Sequence, residues 1–442
     1  MTTPTPTRTR TSSLKTRLTP RAASPDRFYG WHIVAYSAIT LAATAPGQTA
    51  AVSAFIDPMM RDLGVSRGQI STAYLLGTLT GAAAMSFVGR AIDRYGTRRS
   101  MLAIGAAFGA VLLSLALVQG LTGLTLGFVG IRLLGQGALG LTATTAAARW
   151  FIRRRGSALG IVSAAGAAGI STAPLFLERL ISAHGWRAAW VVEGLLIWAI
   201  VIPLAVFAMK DDPAHLGQRP DGAAGEGHDA DREARGATRR EAFGTPFFWV
   251  LTAGVAVSGL LSTAIAFHQI SLLGERGLST AEAAANFIPQ TVAGLVATLA
   301  TGHLVDRISS RWLTAASMLL LTGALGWAVV VNPGWSAIGF GVALGASGSS
   351  IRALESASVP RYFGTRHLGS IRGFVASVSV GSTAFGPVLF ATGFQATGSY
   401  STVLLGSATL PLAVVVAALV VKPPRAQDHV ADESDGSTLT SR

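Results

Sequence analysis

The chain has 442 residues, no cysteine, 50% hydrophobic residues, 51 glycines and only 13% charged residues, with a mean hydropathy of +0.48. An average soluble domain carries about 25% charge, so an ordinary soluble enzyme, a disordered chain and a disulfide-stapled secreted domain are excluded. The net charge of +13 leaves a nucleic-acid partner open only until the basic residues are located. Residues 1–28, rich in Thr, Ser, Pro and Arg, lack the apolar stretch of a signal peptide and read as a disordered cytoplasmic tail. Crossing a hydrocarbon core of about 30 Å takes roughly 20 apolar residues as helix. Runs of this kind lie near 31–56, 70–89, 100–118, 123–147, 157–182 and 187–209. They recur near 246–272, 284–304, 312–331, 335–358, 369–395 and 401–421, which predicts an all-α membrane protein of twelve spans. The runs are continuous, whereas the strands of a barrel would alternate. Gly77 with Gly81 and Gly105 with Gly109 are small-residue pairs that let helices approach closely. Residues 210–245 form a long polar insertion, read as a cytoplasmic linker between a six-helix half at 29–209 and another at 246–422, and 423–442 read as a second disordered cytoplasmic tail.

Orientation follows from the distribution of Lys and Arg. With the N-terminus in the cytoplasm, the opposite face holds only Arg61, Arg67, Arg179, Arg187 and Arg276 of the 35 basic residues, and only Arg132 and Arg352 lie within spans. The positive charge is therefore a mark of topology and of contact with anionic lipid, not of a nucleic-acid partner, and both termini are expected in the cytoplasm at the plasma (inner) membrane.

The two halves repeat one another. Gly89-Arg90-Ala91-Ile92-Asp93-Arg94 matches Gly302-His303-Leu304-Val305-Asp306-Arg307 at a spacing of 213 residues, as Gly156, Gly160 and Pro174 match Gly369, Gly373 and Pro387. Parallel repeats of this kind place a substrate site between the halves, near the middle of the membrane.

The segment from Gly89 through Asp93, Arg94 and Gly96 to Arg98-Arg99 resembles the loop that marks the major facilitator superfamily, between the second and third spans. Arg132 with Gly135, Gln136 and Gly137 resembles the fourth-helix motif of that superfamily, and Gly160, Gly166, Gly169 and Pro174 resemble its fifth-helix motif. Gly30-Trp31, Arg149-Trp150-Phe151 and Arg154-Arg155-Gly156 are similar to the monocarboxylate and oxalate/formate porter branch, although spans one and eleven lack lysine and span eight lacks arginine. The resemblance implies a secondary active transporter working by alternating access. It would carry a small organic anion such as a monocarboxylate, with coupling to protons or by anion exchange.

Ionisable groups inside a membrane are functional candidates by default. Arg132 lies about ten residues, roughly 15 Å, into its span, with Gln136 one turn on. It is suited to hold a substrate carboxylate bidentately or to serve packing. Arg352 is either a second anion contact or the partner of Glu355 at i+3. Glu193 is a proton-coupling candidate or the partner of Arg187 or Arg179. Pro46-Gly47 breaks the first span and makes Gln48 and Thr49 candidate lining residues, with Ser382 as their counterpart before Gly386-Pro387. His268 and Gln269 complete the substrate-binding candidates. The gating candidates are Gly89, Asp93, Arg94, Gly96, Arg98, Asp306 and Arg307, with Asp93 suited to cap the next helix or to pair with an arginine. A phosphate-binding loop, a zinc spacing and a nucleophilic triad are all missing, so neither an enzyme nor a cofactor is expected. The expected partners are a small-molecule substrate and the lipid bilayer, the protein acting as a monomer. The rival functions are proton-coupled efflux of a drug or hydrophobic metabolite, and a transporter-like membrane sensor.

Overall fold

A computed structural model describes residues 28–152, 154–220, 237–364 and 367–424. Residues 1–27, 221–236 and 425–442, which make up most of the expected tails and part of the expected linker, lie outside the described residues. Among the described residues the chain is helical and has no strand. The first half contains α1 (Gly30–Ala42), α2 (Thr49–Leu63), α3 (Arg67–Leu115), α4 (Leu121–Gly130), α5 (Gly140–Trp150) and α6 (Arg155–Pro203). The short α7 (Arg239–Phe243) precedes α8 (Pro246–Gly274), α9 (Thr280–Ala285), α10 (Phe287–Leu304) and α11 (Ser310–Val330). Then follow α12 (Trp335–Phe363), α13 (Leu368–Thr397), α14 (Tyr400–Ser407) and α15 (Thr409–Val420).

Nine stretches among the described residues are long and apolar enough to cross a membrane, against the twelve runs of the sequence. Two local causes account for part of the difference. The first span is broken by the turn at Ala45–Gly47, so α1 and α2 have only 13 and 15 residues. The runs at 157–182 and 187–209 join in one stretch, Arg155–Ala208, whose helix turns at Gly185 (φ 81°). The equivalent turn in α3 is at Gly96 (φ 83°). Only glycine takes such angles without strain.

The repeat is visible in the backbone itself. Gly64 and Gly277, and Gly185 and Gly398, all have positive φ and stand 213 residues apart. The capping box of Ser66 and Gln69 at the start of α3 recurs, at the same spacing, as that of Ser279 and Glu282 at the start of α9. The turns that reverse the chain between helices are thus duplicated along with the helices.

Helix crossings are closest where side chains are smallest. Gly77 faces the Phe128 carbonyl at 2.8 Å from where a Cβ would stand, and Gly81 faces Arg132 at 3.4 Å. Gly105 and Gly109 meet Val201 and Trp198. On the other side of the molecule, a Cβ on Gly345 of α12 would run into the backbone of Gln290 on α10. Contacts between the halves run from α2 to α8, from α3 to α13, and from α6 to α9 and α10. We expect Gly345→Ala to force α10 and α12 apart and to cost about 1–3 kcal/mol, the usual penalty of overpacking. A melting temperature in detergent equal to that of the unaltered protein would contradict this.

Candidate functional site

Between the halves lies a cavity of about 370 Å³. Gln48 and Thr49 from the break between α1 and α2 form one wall, with Ala167 and Ile170 of α6. Ser262 of α8, Gln290 and Thr298 of α10, and Ser349 and Arg352 of α12 contribute to the other. Arg352 is the one ionisable residue in this lining.

Arg352 is exposed to the cavity, and its Nη2 donates to the Ser349 hydroxyl at 3.3 Å. It does not pair with Glu355: that carboxylate lies 3.5 Å from Nε of Arg372 on α13 instead. Three residues along a helix bring the two side chains near one another, but a neighbouring helix supplies the nearer cation.

Arg132 lies away from the cavity lining. It is 3% exposed and sits in a π-helical segment, Ile131–Leu139, between α4 and α5. Its Nε donates to Thr78 Oγ1 and its Nη1 to the Gly47 carbonyl, both at 3.0 Å. Its guanidinium also lies over the Tyr74 ring, 4.4 Å from the centroid. The groups that surround Arg132 belong to the protein, so it holds the break in the first span against α3 rather than presenting its charge to a substrate. The π-helix also separates Gln136 from Arg132: Gln136 is exposed while Arg132 is buried.

The remaining candidates divide in the same way. Thr49 shares a 2.5 Å hydrogen bond with the Tyr74 hydroxyl, and Gln48 Nε2 donates to Thr44 Oγ1 at 2.9 Å; both line the cavity. His268 does not: fully buried, it joins the Pro387 carbonyl (3.0 Å) and the Tyr400 hydroxyl (3.3 Å) and so ties α8 to α13 and α14. Gln269 stands behind the wall, donating to the Ala283 carbonyl (2.9 Å) and accepting from Gln290 Nε2 (2.8 Å). It fixes Gln290, which does line the cavity. The Ser382 hydroxyl is turned back onto the Ser379 carbonyl at 2.8 Å, outside the lining. Glu193 is buried, and its Oε2 has no hydrogen-bond partner. The expected partner Arg187 is engaged instead with Asp62 and the Val118 carbonyl.

At the arginine-rich end, Asp93 pairs with Arg149 of α5 at 3.4 Å. The helix that resumes at Gly96 is capped by a different carboxylate, Asp211, whose Oδ1 accepts from the Thr97 hydroxyl (2.8 Å) and the Arg98 amide (2.7 Å). The Asp211 carboxylate occupies the space that a Cβ on Gly96 would need. Arg98 then reaches the Ala205 and Val206 carbonyls, at 3.1 and 2.7 Å, in the π-helical end of the sixth span. Arg94 lies over Tyr95, and Gly89 faces open space. In the second half Asp306 and Arg307 are exposed, and Arg361, the counterpart of Arg149, donates to the neighbouring Val305 carbonyl at 2.5 Å. These contacts fasten each half internally.

The halves are joined at the opposite end, by residues that sequence reasoning passed over. Arg67 Nη2 pairs with Asp57 Oδ1, Arg67 Nη1 donates to the Ser271 hydroxyl, and Ser271 donates to Asp57 Oδ2, each at 2.8 Å. Asp57 and Arg67 belong to the first half and Ser271 to the second, so a closed ring of three side chains bridges the interface. Thr280 also donates to Glu178 at 2.6 Å, and Phe267 packs edge-on against Tyr74 at 4.8 Å. A vestibule of about 1030 Å³ opens above this seam. Burial at its wall raises the Glu275 carboxyl above its ordinary range, against the opposing pull of Arg276 and Arg67. The one signal available beforehand was an opposite-charge pair, Asp57 and Arg67, flanking the turn at Gly64.

Long apolar helices, a duplicated half and a polar chamber between the copies define an integral, multi-pass membrane protein. The chain belongs to the Major Facilitator Superfamily, whose family model matches residues 37–293. It is 35% identical over 170 residues to a triacylglyceride transporter of Mycolicibacterium smegmatis, a match covering 36% of this chain and 28% of that protein. It is 29% identical over 171 residues to the uncharacterized MFS-type transporter YcxA of Bacillus subtilis, covering 36% and 39%. The matched segment thus spans less than half the length of either relative. The fold is shared with the nucleoside transporter NupG (TM-score 0.71, 11% identity, 89% and 99% of the chains). It is also shared with a bacterial homolog of the human lysosomal transporter Spinster (TM-score 0.65, 15% identity, 90% and 96%). The relatives and structural neighbours named here are transporters and not enzymes.

The two intramembrane arginines should respond oppositely to removal. Arg132→Ala leaves the Gly47 carbonyl and Thr78 without their donor and should cost about 1.5–3 kcal/mol or more, the worth of one hydrogen bond to a charged group. Arg352→Ala should leave the melting temperature unchanged or raise it, because a lightly engaged cation in a membrane is unfavourable. Melting curves of both variants in one detergent test this, and equal losses would refute it. For the ring at the seam, the cysteine-free chain allows a single reporter, Thr291→Cys, in the cavity wall. Ser271→Ala should raise its labelling by an impermeant maleimide from the Asp57 side of reconstituted vesicles. An unchanged rate would remove the ring from gating.

Proposed function

We propose that the protein is a secondary active transporter of a small organic anion such as a monocarboxylate, resembling the monocarboxylate and oxalate/formate porters. In this reading the halves 29–209 and 246–422 rock about the central cavity. The observation that carries it is Arg352: a guanidinium facing the cavity between the halves, with no carboxylate partner and a single hydroxyl contact among the described residues. An arginine so placed is an anion site awaiting a counter-charge, and its planar fork matches a carboxylate. The anion anchor is therefore assigned to Arg352, while Arg132 supports the opposite wall. Gln48, Thr49, Gln290 and Thr298 supply hydrogen bonds to the rest of a polar solute. Glu193 is assigned the coupling proton, since its buried carboxylate has an oxygen without a partner. With the termini in the cytoplasm at the inner membrane, the ring of Asp57, Arg67 and Ser271 closes the outer side and the cavity faces inward.

A second reading, efflux of a hydrophobic metabolite, draws on the relatives named as triacylglyceride transporters. It draws also on an apolar groove of about 830 Å³ between α10 and α12, lined by Val292, Val296, Ile338 and Val342.

Flux into proteoliposomes separates the two. Labelled pyruvate or lactate should enter saturably, flux should fall at least about tenfold in Arg352→Ala, the equivalent of 1.4 kcal/mol, and Arg352→Lys should retain part of it. Carboxylate flux that is absent, or indifferent to Arg352→Ala, would exclude this role and turn attention to hydrophobic solutes.

A further inference from the structure

The second-half wall of the cavity contains a notch that the contacts described so far leave unexplained. Gly348 on α12 has no Cβ, and three polar atoms converge on the place where one would stand. Ser262 Oγ is 3.3 Å from that point, and Ser258 Oγ and Arg352 Nη1 are each 3.6 Å from it. Ser258 and Ser262 lie one turn apart on α8 and therefore on one face. Both hydroxyl oxygens are buried, and neither has a hydrogen-bond partner among the described residues. Ser258 is 1% exposed. Buried side-chain hydroxyls nearly always have partners, so two orphans beside a lightly engaged guanidinium call for an explanation. Elsewhere in this chain serine and threonine hydroxyls commonly turn back onto a helix carbonyl, as Ser347 does onto Leu344 and Thr252 onto Phe248. Ser258 and Ser262 do not.

We propose that the Gly348 notch is the carboxylate subsite of the transported anion, with Arg352 Nη1 and the hydroxyls of Ser258 and Ser262 donating to one carboxylate group. This rests on the organic-anion reading given above. The donor set fits: a guanidinium has only donors to offer, each hydroxyl has a proton to give, and an ionised carboxylate is an acceptor with room for all three. Serine hydroxyls turn about one bond without moving the backbone, so α8 and α12 form a fixed frame with adjustable donors. Gly348 is the residue that leaves the space, and any side chain there would fill it. With a single cation in the lining, a carboxylate held here leaves no second charge for another acid group. The substrate class is thus a monocarboxylate whose remainder lies against Thr49, Gln290 and Thr298.

The notch can be altered without disturbing the fold, which makes it testable. A methyl on Gly348 meets only contacts of 3.3–3.6 Å, and truncating the serines removes hydroxyls that have no partner to lose. Gly348→Ala and the double variant Ser258→Ala/Ser262→Ala should therefore melt as the unaltered protein does. Calorimetric titration with benzoate, lactate and acetate, and with neutral benzamide, then gives the answer. The unaltered protein should bind the carboxylates and not benzamide, with affinity at least about tenfold weaker in each variant and lost in Arg352→Ala. If Gly348→Ala fails to fold, the serine pair carries the test. Carboxylate binding that needs Arg352 but is indifferent to Gly348→Ala and to the serine pair would overturn the notch and leave the organic-anion reading standing. Carboxylate binding indifferent to Arg352→Ala, or absent from the unaltered protein, would overturn both.

Discussion

The arrangement of the first half depends on one buried charge. A guanidinium near the middle of a membrane costs at least about 2.5–3.5 kcal/mol to insert, and Arg132 is tolerable because the first span is broken beside it. In an unbroken helix the Gly47 carbonyl would be taken by a backbone amide four residues on. The extended backbone at Gln48 (ψ 151°) frees that oxygen, and Arg132 takes it. The break and the charge each satisfy what the other leaves open. Because the chain turns there, Gln48 and Thr49 face the cavity, and Tyr74, held between Arg132 and Thr49, is presented to Phe267 of the second half.

The second half solves the corresponding problem differently. The position 213 residues after Arg132 is Gly345, and the one 213 after Gly77 is Gln290. In the first half the glycine is on α3 and the large side chain on the facing helix; in the second the two are exchanged, and α12 closes onto Gln290 through Gly345. The structural guanidinium of the first half is replaced by a backbone crossing. The remaining intramembrane arginine, Arg352, faces the cavity, where the proposed function gives it the solute.

The architecture was largely legible beforehand, because apolar runs and a duplicated loop motif are linear features. The break at Pro46-Gly47 and its exposure of Gln48 and Thr49 could be read from two residues. The site was legible in its residue types and not in its pairings. Arg352 and Glu355 share a helix, yet Glu355 lies nearer Arg372 on another; Asp93 had the position of a cap, yet Asp211, more than a hundred residues on, does the capping. His268 had the chemistry of a ligand, but the Pro387 carbonyl was within its reach. Such outcomes depend on which helices become neighbours and at what height, and the order of residues along one helix does not contain that. The ring of Asp57, Arg67 and Ser271 was hidden for the same reason: Ser271 is unremarkable until α8 is placed beside α2.

In the proposed alternating-access cycle, that ring has a consequence for how the populations of the two states are set. Asp57 and Arg67 lie in the same half, so they remain together when the halves part, and no charge is stranded. Within the ring, separation would break only the pair of hydrogen bonds at Ser271, each worth about 1.5–3 kcal/mol because its other partner is ionised. Two such bonds, about 3–6 kcal/mol together, would leave the minor arrangement populated at a few per mille or less. To reverse that balance a bound solute would have to prefer the other arrangement by a comparable amount, about 3–6 kcal/mol, and substitutions at position 271 would adjust the balance without touching the cavity lining.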